Sequence, residues 1–472
     1  MSVSVPGAAD GARVLLLWPG GLLKSGANFG VPQLLSMAGL LRQQAGAAVD
    51  VVDLDLERAF GPVDLRGIAD SGYDLVGISC YSSYDYLKVM AIAAALRAML
   101  PEACFVTGGY HPSAVPEDFL GDDSPFDFAI VGDGEAPLLD LVERLGRSEP
   151  PASRVLGPEP WSDLNALPPY DWSLLERYRP IARRRASQAE IYLSRGCPLG
   201  CSFCMEQAKG DAAWRAFEPG RAVEEVRRLD SFLDLSQWTL FIADAVFGLR
   251  QSWRRAFLEE LARAPVRARK VWLLTRADGL ERLDLELMAK ANVAPGFGLE
   301  SGAPAMLGRI RKANDPEIYL DRMLSVARCA RQLGLPFGAN VIVGHPGETE
   351  RSLRTSATYL RRLFVEERGS TTGFLSVDPF RLYPGSAVAQ HLDDWQRTTG
   401  MGVHRFPWWH DGDQDFLAEW VDPSAELSFR RTLTLRRALF DPLLAEIAQQ
   451  FAYLGPAADY FQHCLLYTSD AA

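Results

Sequence analysis

The sequence predicts an α/β chain: a doubly wound parallel sheet first, a partial (β/α)6 barrel next, and a helical C-terminal region last. Three observations carry this reading. Short continuous apolar runs alternate with helical patterns over the first 145 residues, the signature of a parallel sheet covered on both faces. A second series of six such runs follows between residues 190 and 377. Between the two series lies a stretch holding Pro150, Pro151, Pro158, Pro160, Pro168, Pro169 and Pro180, a density that opposes regular helix or sheet. The expected organisation is therefore residues 1–145 as the first domain, 146–186 as a linker with local turns, 187–387 as the barrel and 388–463 as the helical region.

In the first domain, strands are expected at 13–18 (RVLLLW), 49–54, 75–80, 104–107 and 126–131, giving about five. Helical spacing covers 31–44, 86–100 and 137–145. A sheet of this type binds ligands beyond the C-terminal ends of its strands. Four loops there stand out: the glycine-rich 18–30, the hydroxyl-rich 80–84, Gly108-Gly-Tyr-His111, and Gly132-Asp-Gly-Glu135. In the second series, strands are expected at 190–194, 238–243, 271–275, 296–299, 338–343 and 374–377. Helices fall at 221–232, 253–264 and 316–333; the last has Asp315 as N-cap and Pro316 at its first position. From about residue 388 the pattern turns helical, with Trp395, Trp408, Trp409 and Trp420 among its aromatics. The Trp408–His410 cluster reads as a core cap, with substrate contact as the alternative.

Bulk composition narrows the class. A chain of 472 residues exceeds one ordinary core. The formal charge of −11 disfavours nucleic acid as substrate, and Arg183 to Arg185 reads as a solvated surface. No run of about 18 apolar residues marks a membrane helix. Residues 1–12 lack an export signal, so a cytoplasmic location is expected. Of seven cysteines, three are clustered, which suits a metal or cluster site better than a disulfide framework. Cys80, Cys104 and Cys329 read as buried inert thiols. The last residues, 464–472 (CLLYTSDAA), resemble a translated sequencing adapter; Cys464 would then carry no biological role.

The clustered cysteines follow directly on a predicted strand: Ser194-Arg-Gly-Cys197-Pro-Leu-Gly-Cys201-Ser-Phe-Cys204. Gly196 and Gly200 permit sharp turns, and Pro198 restrains them. Three thiolates suit an iron–sulfur cluster with one iron left open, or zinc with a fourth ligand from elsewhere.

CxxxCxxC with an aromatic, Phe203, before the last cysteine resembles the signature of the radical S-adenosylmethionine (SAM) superfamily. The resemblance extends over most of residues 188–390. Gly298-Leu-Glu300-Ser301-Gly302, followed by Leu307 and Lys312, is similar to a later family element, as are Gly344-His-Pro-Gly-Glu348-Thr and Tyr383-Pro-Gly385-Ser386. It implies that Cys197, Cys201 and Cys204 bind a [4Fe–4S] cluster whose fourth iron chelates SAM. Reductive cleavage of SAM then yields a 5′-deoxyadenosyl radical. It also implies that Phe203, Arg276, Gly298, Glu300 and Ser301 line the SAM pocket; an ion pair inside the barrel is the alternative for Arg276 and Glu300. Asp244 stands where relatives carry paired aspartates, with Ala245 in the second place.

The first domain resembles the cobalamin-binding domain that precedes many radical SAM barrels. That implies cobalamin contacts at Ser82, Gly108, Gly109, Gly132, Gly134 and Glu135. Many such domains ligate cobalt through a histidine in a DxHxxG loop. No histidine occurs in residues 1–110, so a lower face without a histidine ligand is expected, and His111 lies in the wrong loop.

Together these resemblances imply cobalamin-dependent methyl transfer to an unactivated carbon of a small molecule or peptide. The electron would come from a low-potential donor such as flavodoxin or ferredoxin. Ring formation or oxidation by the same cofactors is one alternative, and a non-catalytic iron–sulfur sensor or assembly protein is another.

Overall fold

The computed structural model describes residues 11–20, 28–185, 188–210, 212–366, 374–411 and 421–450. The chain divides into two compact units. One comprises Met1–Ala186 with Met205–Phe217 and Ser231–Leu233; the other comprises Ser187–Cys204, Glu218–Asp230 and Asp234–Ala472.

The first unit is a doubly wound sheet. Its elements run β1 (Arg13–Trp18), α1 (Pro32–Gln44), β2 (Ala48–Asp53), β3 (Leu75–Ser79), α2 (Tyr86–Met99), β4 (Cys104–Gly108), β5 (Phe128–Ile130), α3 (Glu135–Gly146) and β6 (Val155–Leu156). The strands pair in parallel in the order β2-β1-β3-β4-β5-β6. Consecutive residues Leu15, Leu16 and Leu17 are all buried, which requires cover on both faces and explains the unbroken apolar run. The order reverses between β1 and β3, so the ligand crevice of this sheet lies at their C-terminal ends.

The sheet has six strands where the sequence suggests about five. The extra one, β6, comes from the proline-rich stretch and pairs Val155 and Leu156 with Ala129 and Ile130. The prolines exclude long helices there, yet Trp172, Leu175 and Tyr178 are buried anchors. The Asp53 amide donates to the Tyr178 hydroxyl at 3.2 Å. Apolar anchors between prolines therefore pack this stretch down without needing regular structure.

The second unit is a curled parallel sheet. It runs β7 (Gln188–Ile191), α4 (Pro219–Leu233), β8 (Thr239–Ile242), α5 (Gln251–Arg263), β9 (Lys270–Thr275), α6 (Arg282–Lys290), β10 (Val293–Glu300), α7 (Pro304–Arg309), α8 (Pro316–Gln332), β11 (Gly338–Val343), α9 (Glu350–Arg361), β12 (Phe374–Pro379), α10 (Leu392–Thr399) and α11 (Phe429–Gln450). Strands β7 to β12 pair in sequential order, as expected of a partial (β/α)6 barrel. Asp315 caps α8 by accepting from the Ile318 amide at 3.1 Å.

Side chains alternate along these strands. Ala339, Val341 and Val343 of β11 are each 1% exposed and pack under the helices, whereas Asn340 and Ile342 face the lumen and are partly exposed. Trp408 and Trp409 are buried, and Trp408 Nε1 donates to the Leu382 carbonyl at 2.8 Å. They serve as the core cap. Among the described residues no helix is long and apolar enough to cross a membrane. Trp420 and the segment 464–472 with Cys464 lie outside the described residues.

Candidate active site

The cysteine loop leaves the C-terminal end of β7, the first barrel strand. Gly196 and Gly200 hold φ of +82° and +64°, the left-handed region that L side chains avoid. The loop is pinned at its middle: the Ser202 amide donates to the Ile310 carbonyl at 3.0 Å, and the Ser202 carbonyl accepts from the Val388 amide at 3.0 Å. Ser202 is fully buried, while Cys197, Cys201 and Cys204 are thiols of intermediate exposure outside any disulfide. Phe203 turns inward against Ala303, Met306 and Ile310. Among the described residues no three Cys, His, Asp or Glu side chains converge on a point one metal ion would fill. Three thiols on one loop can occupy three corners of a cluster.

Asp244 organises the approach to this loop. It follows β8 and is 1% exposed. Its Oδ1 accepts from the Leu193 and Ser194 amides at 2.8 and 3.1 Å, and its Oδ2 accepts from the Ser194 hydroxyl at 2.6 Å. Burial pushes its pKa up to about 6 against these hydrogen bonds. A single carboxylate thus satisfies three donors at the corner from which the cysteine loop departs, and the second aspartate of the family pattern is not needed for it.

The Glu300 and Arg276 side chains do not pair with each other. Glu300 ends β10 at a register shift, with φ of +67°. Its Oε1 lies 3.1 Å from Lys312 Nζ, and both residues are buried. A Cβ on Gly298 would stand 2.6 Å from Glu300 Oε1 and 2.9 Å from Lys312 Nζ, so only glycine lets this pair lie across the strand. Burial pulls the Lys312 pKa down, but Glu300, Tyr319 and Cys201 outweigh it and the net shift is upward. Arg276 pairs with Asp278 at 2.6 Å and lies over the Tyr319 ring at 5.2 Å. Burial opposes its charge; Asp278, Tyr319 and Cys201 restore it. Its Nη1 is buried without a hydrogen-bond partner among the described residues. The Tyr319 hydroxyl donates to the Gly298 carbonyl at 3.0 Å. Ser301 is a buried hinge: its Oγ meets Ser356 Oγ at 2.9 Å and accepts from the Ala303 amide.

His345 completes the surroundings. Its ring lies between Phe203 and Phe380, at centroid distances of 5.2 and 5.3 Å. Burial, reinforced by Lys312, lowers its pKa to about 3, so it is neutral at physiological pH. Neither ring nitrogen has a hydrogen-bond partner among the described residues. Two cations that feel the Cys201 charge, one with an unused donor, fit a thiolate-held cluster and a carboxylate-bearing ligand beside it. Tyr319 carries no short-range pattern; only its distant partners, Gly298 and Arg276, identify it.

In the first unit, the six residues expected to touch cobalamin gather at the C-terminal edge of the sheet. Most are already engaged locally. Ser82 accepts from the Tyr84 amide. Gly109 has φ of +126°, and a Cβ there would stand 2.4 Å from the Cys80 carbonyl oxygen. Gly132 and Gly134 would meet Lys209 and Met37 in the same way. The Glu135 carboxylate accepts from Ser36 at 2.7 Å. Gly108 alone leaves ordinary space, its nearest neighbour being Ile130 at 3.7 Å.

The same edge carries aromatic residues that glycine and hydroxyl patterns overlook. Trp18 ends β1 and meets Tyr81 beyond β3 at 5.9 Å; Tyr81 meets Tyr110 beyond β4 at 5.1 Å. Tyr81 is 38% exposed. These rings meet edge to face and line the switch point of the sheet. His111 is fully buried and bonded through both nitrogens, to Ser83 at 2.7 Å and Asp118 at 3.2 Å, so it is no cobalt ligand. Cys80 and Cys104 are buried thiols with pKa pushed up by burial, consistent with inertness, whereas Cys329 on α8 is only partly buried.

Comparison with known proteins gives two family matches: a B12 binding domain over residues 23–142 and the Radical SAM superfamily over residues 191–360. The hopanoid C-3 methylase of Methylococcus capsulatus is 28% identical over 324 residues, covering 66% of this chain and 60% of that protein. The anaerobic magnesium-protoporphyrin IX monomethyl ester cyclase of Rubrivivax gelatinosus is 26% identical over 371 residues, covering 72% and 64%. This chain thus spans less than two thirds of these relatives. Among solved structures, the radical SAM methyltransferase TsrM of Kitasatospora setae, with cobalamin and a [4Fe–4S] cluster bound, superposes with a TM-score of 0.71. It covers 98% of this chain and 99% of that one at 16% identity, a likeness of fold.

Proposed function

As a member of the radical SAM superfamily with a B12-binding domain ahead of its barrel, this chain is, we propose, a cobalamin-dependent radical SAM methyltransferase acting on an unactivated carbon of a small molecule or peptide. The observation that carries this is the cysteine loop at the end of the first barrel strand, pinned by Asp244 and faced by Arg276 and Lys312. When bound, the cluster and SAM supply a 5′-deoxyadenosyl radical, and cobalamin supplies a transferable methyl group.

The chain's own residues do the rest. Cys197, Cys201 and Cys204 hold the cluster. Lys312, charge-paired with Glu300, and Arg276, with Nη1 unused, attract the carboxylate of SAM. Phe203 and the neutral His345 exclude water beside the loop. Trp18, Tyr81 and Tyr110 would line the crevice that holds the corrin ring. A flavodoxin or ferredoxin type of donor supplies the electron.

The test is anaerobic turnover of reconstituted protein with SAM and a reductant. Release of 5′-deoxyadenosine, with iron, sulfide and cobalt in the protein, supports the reading. Protein with an intact cluster that yields no 5′-deoxyadenosine with any candidate substrate defeats it. The cyclase relative favours ring closure as a second reading; a product without an added methyl group would select it.

A further inference from the structure

At the last barrel strand, two charged groups face one another without joining. Asp378 lies on β12 in register with Ile342 of β11, so it shares the lumen face with Asn340 and Ser376. Its hydrogen bond comes from the Ser376 hydroxyl. Arg436 reaches in from α11. It is 5% exposed, and its Nε donates to the Val377 carbonyl at 2.9 Å. As β12 ends the sheet, this carbonyl marks its open edge. Arg436 Nη2 is buried without a hydrogen-bond partner among the described residues.

Asp378 and Arg436 each feel the other's charge, yet among the described residues they form no ion pair. Asp441, one turn and a half along α11, also acts on Arg436, and its Oδ1 is likewise buried and unbonded. Burial raises the pKa of Asp378 and lowers that of Arg436, so both charges are costly as they stand. A buried guanidinium nitrogen with unused donors is destabilising. A ligand with charge of both signs would relieve both groups together.

Resting on the methyltransferase reading, we propose that Asp378 and Arg436 recognise the ammonium and carboxylate groups of a zwitterionic substrate, an α-amino acid or a chain end of that type. The remainder of the substrate extends along the lumen face toward Ile342 and Leu274, which are partly exposed apolar side chains.

The experiment is calorimetric titration of cluster-reconstituted protein. The probes are L-tryptophan, L-phenylalanine and L-leucine, each beside its decarboxylated amine and its deaminated acid. At least one amino acid should bind about 10- to 100-fold more tightly than both of its partial analogues, the range of a charge-assisted hydrogen bond. Arg436→Met should remove the preference over the amine, and Asp378→Asn the preference over the acid. Thermal melts of both variants establish that they are folded. The proposal is overturned if no amino acid binds at millimolar concentration, if amine or acid binds as well as the amino acid, or if folded variants keep the wild-type preference. Production of 5′-deoxyadenosine in the same preparation separates the outcomes. If it continues while this pattern fails, only the substrate assignment falls.

Discussion

Replacing Asp244 separates what its charge does from what its hydrogen bonds do. Its pKa is near 6, against an ordinary value of 3.8. At neutral pH the buried charge therefore costs roughly 3 kcal/mol. Asp244→Asn removes that charge and keeps an acceptor for the Leu193 and Ser194 amides; the Ser194 hydroxyl can accept from the new amide group. This variant should match or exceed wild-type stability. Asp244→Ala removes the charge too, but strands three buried donors at about 1–3 kcal/mol each. The two variants should therefore differ by about 3–9 kcal/mol, on the order of 10 °C in melting temperature. Iron per chain after reconstitution should be near wild type in Asn and much reduced in Ala, because the corner feeding the cysteine loop is released. The pH dependence carries a sign. A carboxyl group whose pKa is raised on folding stabilises the protein below about pH 4, and that contribution is lost as pH rises through 6. The advantage of Asn over wild type should thus grow from pH 4 to pH 6.5. Glu190 and Glu348, which burial pushes up to about 7, act with the same sign in both proteins and cancel. Equal melting temperature and iron content in the Asn and Ala variants would refute the assignment of Asp244 to the loop corner.

Other expectations follow from the same geometry. Cys201→Ala should lose stable iron and sulfide while circular dichroism keeps the signal of a folded α/β chain; full iron retention would count against the ligand assignment. Glu300→Gln or Lys312→Met alone should each cost about 3–5 kcal/mol by leaving one buried charge unpaired, and the double variant should recover part of the loss in denaturant unfolding. Gly302→Ala should destabilise by about 1–3 kcal/mol, since its Cβ would meet Tyr359 Cβ at 2.8 Å and Ser356 Cα at 3.0 Å; an unchanged unfolding midpoint would show that α9 can move aside.

Much of the architecture was legible because it is written in short-range order. Continuous apolar runs such as Arg13–Trp18 mark parallel strands buried on both faces, and the observed strand has those bounds. The cysteine spacing and its glycines depend only on neighbours, so the loop was recognisable before any fold was known. Strand β6 was missed because its two residues sit among prolines and acquire strand geometry only by pairing with β5.

What the sequence determined by itself, then, was the alternation of elements, the order of the two units and the loop of Cys197, Cys201 and Cys204. The tertiary structure decided the pairings of polar groups. Asp244 meets residues 50 and 51 positions away. Glu300 turns from Arg276 to Lys312, and Arg436 arrives beside a strand 59 positions before it. Apolar periodicity is local because it reflects which face of one element is covered. A buried charge is satisfied by whichever partner the long-range packing delivers, and no repeat in the sequence encodes that choice.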